Sequence, residues 1–124
     1  MQSSPQPLFR QIAALIEESI LDGTLAEGSR APSMNELADF HSINPATARH
    51  GLQVLVDDGI LAKKRGVGTF VRPGARDSIV KARQKDFAKE FVAPLVDEAA
   101  RLGLKRNDVH ELLDAVAESR GLYQ

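Results

Sequence analysis

The stretch Ser42-Ile43-Asn44-Pro45-Ala46-Thr47-Ala48-Arg49-His50 carries two helix-start signals followed by small and cationic residues. Asn is a preferred N-cap, and Pro is tolerated at the first helical position, where its missing N–H would have had no partner. A helix start that entered a core would use larger apolar side chains. Small residues in the first turn suit a helix end that approaches another surface closely.

Working outward, the preceding segment carries a second start signal. Ser33 followed by Glu36 is a capping-box pattern, predicting a short helix that buries Leu37, Ala38 and Phe40, with His41 and Ser42 as the turn. Asn44 then caps a helix whose inner face is Ala48, Leu52, Leu55 and Val56, ended by Asp57-Asp58-Gly59. Farther upstream, Pro7 opens a helix with an apolar stripe of Leu8, Ile12, Leu15, Ile16 and Ile20, stopped by Gly23. The loop that follows holds one short strand around Arg30, and residues 1–6, MQSSPQ, are polar and expected to be disordered.

Downstream the period changes. ILAKKRGVGTFV, residues 60–71, reads as two short strands around Gly66-Val67-Gly68, with Ile60, Leu61, Ala62 and Phe70 expected inward. Three short helices and a hairpin give the order of a winged helix-turn-helix, whose second motif helix is aimed at the major groove of DNA. A break at 73–77 precedes a long helix marked by Val80, Phe87, Phe91, Leu95, Ala99 and Leu102, in which Pro94 must kink the chain or free a carbonyl. Val109, Leu112, Leu113, Val116 and Ala117 mark a final helix, for which Asn107 is a better N-cap than Lys105. The fold class expected is mainly α with a small β-hairpin: a winged helix-turn-helix head over residues 1–72 and a two-helix dimerisation tail over 73–124.

Composition narrows the function. The chain has 124 residues, 43% apolar and 27% charged, with no cysteine. Disulfide and thiolate chemistry are therefore excluded, and no apolar run reaches a membrane span or a secretory leader, so a cytoplasmic protein is expected. Net charge is only −1, but its distribution is uneven. Residues 1–40 hold two cations against six carboxylates, residues 41–72 hold five against two, and residues 73–124 balance at nine each.

The local positive charge adjoins the opening stretch. Ala46, Thr47, Arg49, His50 and Gln53 are left toward solvent by the inner face of their helix. Its first-turn N–H groups could approach a phosphate, Arg49 could pair with guanine or phosphate, and Gln53 could read adenine. A solvated helix face that happens to hold an Arg and a His is the plainer reading of these residues alone. Lys63, Lys64 and Arg65 would contact phosphates while the Gly66 tip enters a minor groove about 6 Å wide; a charged hairpin also discourages strand-to-strand aggregation. The two features together are more specific than either.

Residues 7–71 resemble the DNA-binding domain of the GntR family of bacterial transcription regulators. The matching runs are PLFRQIAALIEESILDGTLAEGSRAPSMNELA, INPATAR and LVDDGILAKKRGVGTFV. Asn44-Pro45 with so short a tail is similar to the YtrA subfamily. The resemblance implies a homodimer, with winged-helix heads on a palindromic double-stranded operator and a two-helix tail for dimerisation; such regulators often control transporter genes, and a repressor is expected here. Thr47, Arg49, Arg65, Gly66 and Gly68 match the family pattern, and with the reading of the residues themselves the DNA contacts expected are Ser33, Asn35, Asn44, Ala46, Thr47, Arg49, His50, Lys63, Lys64, Arg65 and Gly66. Asn35 stands where many members have Arg, and Pro45 where other subfamilies place a base-reading Arg, so their base code does not carry over.

The tail argues for dimers independently. Two helices cannot enclose Phe87, Phe91, Leu95, Leu102, Leu112 and Val116, and an apolar patch larger than a few hundred Å² usually marks an interaction surface; folding back onto the head is the alternative. A small-molecule effector, of unidentified class, would have to use a pocket between the tail helices or at the dimer seam. No cofactor or metal is expected, since His41, His50 and His110 are scattered. No nucleophile is paired with a base, so an enzyme is not expected either. A winged-helix protein-interaction module without DNA binding remains a second reading, and an enzyme accessory subunit a third.

Overall fold

The computed structural model describes residues 6–123, so the expectation of disorder at 1–6 falls almost wholly outside the described residues. The chain divides into two compact units, one running through Gln84 and the other from Lys85 onward.

In the first unit, α1 (Leu8–Leu21), α2 (Met34–His41) and α3 (Pro45–Asp57) precede a hairpin of β1 (Leu61–Lys64) and β2 (Gly68–Val71), and α4 (Ala75–Phe87) follows. The stripe on α1 closes differently from its expectation. Ile12, Ala13, Ile16 and Ile20 are buried, but Leu8 and Leu15 remain about half exposed because the seam centres on Ile12 and Ile16. Opposite them, α3 buries Ala48, Gly51, Leu52 and Leu55, with Val54 and Val56 packed at the margin. Gly51 lets the two helices close: a Cβ there would lie 3.0 Å from the Phe9 carbonyl oxygen and 3.1 Å from Ile12 Cγ2.

The capping box on α2 forms as expected. Ser33 Oγ accepts from Glu36 N–H at 3.1 Å, and Ser33 N–H donates to Glu36 Oε1 at 2.8 Å. Leu37 and Ala38 are buried. Phe40, expected inside, is 83% exposed, because the helix ends one residue later and its core face is only two residues wide. The turn reverses at Ser42, in the left-handed region at φ 54°, and the Ile43 N–H returns to the Ala38 carbonyl at 3.0 Å.

The hairpin buries Ile60 and Leu61 as expected, but Ala62 and Phe70 face the other way. Leu61 pairs with Val71 and both are almost fully buried, whereas Ala62 pairs with Phe70 and both are only half-buried. Side chains two apart share a face, so Leu61, Lys63, Thr69 and Val71 lie on the inner side. Residues 28–31 flank β2: the Gly28 N–H bonds to Val71 O, Val71 N–H to Ser29 O and Ala31 N–H to Thr69 O, with a bridge at Arg30–Phe70. The short strand expected around Arg30 is this edge.

The break expected at 73–77 lasts only to Gly74, and the first unit runs past residue 72. Ala75 and Ile79 of α4 join the core, so the helix is part of that packing. Glu27 fixes its start, accepting from Gly74 N–H at 2.9 Å and Arg76 N–H at 3.1 Å. These two backbone donors hold the Glu27 carboxyl below the usual carboxylate range. Arg83, one helical face along, pairs with Glu17 at 3.0 Å and Glu18 at 2.5 Å.

In the second unit a π-helical turn (Ala88–Val92) leads into α5 (Ala93–Arg101), and α6 (Arg106–Ser119) follows. Pro94 has no N–H to offer the Glu90 carbonyl. The chain adapts by widening the preceding turn, with Ala93 N–H reaching back five residues to Ala88 O. Lys105, not Asn107, occupies the N-cap of α6. Its backbone N–H donates to Asp108 Oδ2 at 2.9 Å, so a carboxylate three residues on supplies the cap that the lysine side chain cannot. Among the described residues of this unit only Ala99 and Ala117 are buried, while Phe87, Phe91, Leu95, Leu102, Leu112 and Val116 are 38–64% exposed.

Candidate nucleic-acid interface

Asn44 builds the start of α3. Its Oδ1 accepts from Ala46 N–H at 2.7 Å, while its carbonyl accepts from Thr47 at 3.0 Å and Ala48 at 3.1 Å. Pro45 has no N–H. Every first-turn donor is thus satisfied within the helix, which removes the expected backbone approach to a phosphate. What the first turn offers is side-chain space: Asn44, Pro45 and Ala46 are exposed and small, and Thr47 is half-buried.

Beside that turn, Ser33, Arg49, Gln53 and Lys63 line one cleft of about 280 Å³, between the start of α2, α3 and the hairpin. Its floor is apolar, with Leu52 and Val56. The Ser33 hydroxyl accepts from Glu36 and keeps its own hydrogen to donate. Lys63 reaches this cleft because it shares the inner strand face with Leu61. Among the described residues neither Arg49 nor Lys63 belongs to an ion pair; those that form are Lys81–Asp77, Arg83–Glu17, Arg83–Glu18 and Arg101–Glu98. Cations without a counter-charge favour an incoming anion.

Other expected residues are engaged within the chain or stand at the hairpin tip. His50 stacks on Phe9, ring centroids 3.6 Å apart and planes within 10°, so its imidazole braces α3 against α1. Gln53 donates to Asp57 Oδ1 at 2.8 Å, and its amide is engaged along its own helix. Lys64, on the outer strand face, rests its Nζ 4.7 Å from the Phe70 ring centroid rather than standing free with its neighbours. Arg65 and Gly66 form the exposed tip, where Val67 N–H bonds to Lys64 O at 2.9 Å and Gly66 takes φ 75°. Asn35 is exposed on the first turn of α2 and does not line the cleft.

One cation of the cleft escaped the reading of the sequence. Arg30 lines the same space as Arg49 and Lys63. In sequence it is a lone Arg in a polar loop, and only the pairing of 28–31 with β2 brings it there. Glu36 is held below the usual carboxylate range, first by the Ser33 backbone N–H, then by its hydroxyl, with a smaller contribution from Arg30.

Among the described residues no helix is long and apolar enough to cross a membrane. The family described as bacterial regulatory proteins, gntR family, matches residues 8–71. The HTH-type transcriptional repressor YtrA of Bacillus subtilis (strain 168) is 28% identical over 114 residues, covering 92% of this chain and 87% of its own. A crystal structure from Bacteroides thetaiotaomicron, assigned to GntR-family transcriptional regulators, superposes with a TM-score of 0.76 at 28% identity, over 92% of this chain and 99% of that one. The AraR DNA-binding domain, solved in complex with operator ORR3, matches 57% of this chain and 86% of its own at 28% identity, with a TM-score of 0.53. These relatives are named as transcription regulators or DNA-binding domains rather than enzymes.

Proposed function

Because the chain belongs to the gntR family of bacterial regulatory proteins and is a DNA-binding transcription regulator, we propose that it is a repressor that binds a palindromic operator as a homodimer. The reading as a protein-interaction module without DNA gives way to this one. The observation that carries it is the meeting of Arg49 and Lys63, unpaired among the described residues, in one cleft beside the small first turn of α3.

In this reading α3 enters the major groove by its first turn. Ala46 and the Thr47 methyl meet bases, and Arg49 pairs with a guanine edge or a phosphate. Ser33, Asn35 and Lys63 hold the backbone to either side, while Arg65 and Gly66 carry the wing toward the minor groove. Asn44 is a positioning residue, acting through the cap on Ala46. His50 and Lys64 brace the scaffold through Phe9 and Phe70. The unit from Lys85 onward, with its exposed apolar side chains, is the dimerisation segment, and a two-fold protein matches a two-fold operator. Any small-molecule effector would enter the apolar groove of about 360 Å³ lined by Leu95, Leu102 and Leu112. Such a regulator works in the cytoplasm, where the bacterial chromosome lies.

Selection of bound duplexes from a random pool at two salt concentrations tests this. Palindromic sites are expected, with half-sites about 10 base pairs apart or a multiple of that, and affinity falling steeply with salt. Arg49→Ala should cost about 1–3 kcal/mol on the selected site. Unchanged affinity for that variant would remove Arg49 from the interface, and no enrichment of any duplex would sink the proposal.

A further inference from the structure

Arg30 occupies a position that its place in a polar loop does not announce. The backbone on either side is pinned to β2 by Val71 N–H to Ser29 O at 2.9 Å and Ala31 N–H to Thr69 O at 2.7 Å. Its guanidinium then lies across Gly68: a Cβ built on that glycine would fall 2.8 Å from Arg30 Nε and 3.5 Å from Cζ. Gly68 also takes φ 144°, which a side chain would resist. The result is an Arg with a fixed base and a bed of bare backbone under its head group.

Three further facts bear on what it does. Arg30 is exposed, and it lines the same cleft as Arg49 and Lys63. Like them, it belongs to no ion pair among the described residues, although Glu36 is near enough to feel its charge. Both Glu36 and Ser33 are already committed to each other at the start of α2. Three cations facing one small cleft repel each other until an anion enters it.

Resting on the DNA-binding reading above, we propose that Arg30 is a phosphate-binding residue. It clamps the DNA backbone between the recognition helix and the wing, fixing how α3 and the hairpin sit on one duplex. A guanidinium on a rigid base offers a phosphate two parallel N–H donors at little entropic cost. A phosphate contact positions the protein without reading sequence. Arg30 therefore contributes to affinity for all duplexes alike.

The test uses the full chain, a mixed-sequence duplex about four helical turns long, and a duplex selected from a random pool. Affinity is measured across a salt titration for wild type, Arg30→Gln and Arg30→Lys. Losing one phosphate contact lowers the log–log salt slope by about 0.9, so between about 50 and 200 mM salt Arg30→Gln should lose about three- to fourfold less affinity per protomer than wild type. The loss should be equal on both duplexes, and Arg30→Lys should keep the wild-type slope. An unchanged slope in Arg30→Gln, or an equal drop in Arg30→Lys, overturns the assignment while wild-type binding leaves the DNA-binding reading intact. A drop confined to the selected duplex makes Arg30 a base reader and also overturns it. Absence of wild-type binding to either duplex ends both.

Discussion

The two units of this chain draw on similar residues and use them in opposite ways. The first closes a core around Ile12, Leu55, Leu61 and Val71, each 2% exposed or less. The second buries two alanines, and eleven of the fifteen large apolar side chains exposed among the described residues lie at 87–123. Three helices with a hairpin and α4 present enough faces to cover one another; two helices and a π-helical turn do not. Apolar content alone does not say which segment is self-sufficient. The number of faces that can meet does.

That contrast can be broken most directly at the second unit. If a second copy covers the exposed face, the double substitution Leu112→Glu with Val116→Glu should yield monomers in sedimentation. Losing the second head should weaken operator binding by about a hundredfold or more. A variant that stays dimeric places the interface elsewhere. Next in size is the first unit's core: Leu55→Ala should cost about 2–5 kcal/mol in chemical denaturation, through lost burial and the cavity left behind. A cost under about 1 kcal/mol would mean that this unit is no more self-contained than the other.

A pH titration probes how the first unit fixes the start of α4. The Glu27 carboxyl, bonded to the start of α4, is depressed in the folded chain. A depressed acid stabilises above its unfolded pKa, and the stabilisation is lost as pH falls through its folded value. Wild type should therefore melt higher than Glu27→Ala at neutral pH, with the two curves converging at acid pH. A constant offset down to strongly acid pH would assign the effect to something other than the charge. Smallest of all, Phe40→Ser should change stability by no more than about 0.5 kcal/mol, since the ring is 83% exposed. A large loss there would show that Phe40 is covered by something in solution.

Much of this was legible in the chain itself. Capping residues and turns act over three or four positions, so Ser33 with Glu36, and Asn44 with Pro45, fixed two helix starts without reference to the rest of the fold. Spacing likewise placed Arg49 on the outer side of α3. Readings failed where two solutions were locally equal. A strand pair can turn either face inward, and the half-exposed Phe70 and buried Val71 were exchanged for that reason. His50 and Gln53 stand exposed on α3 as their spacing placed them, and what spacing did not show is that Phe9 and Asp57 engage them.

The sequence by itself determined the order of helices and strands, the local excess of positive charge and the surplus of apolar side chains after residue 85, because each depends on neighbours along the chain. Only the tertiary structure decided that Arg30, Arg49 and Lys63 share one cleft. Those three positions span more than thirty residues, and they meet through the register of residues 28–31 against β2 and of β1 against β2. Register is a property of packed pairs of segments: one residue of slip sends every side chain to the opposite face.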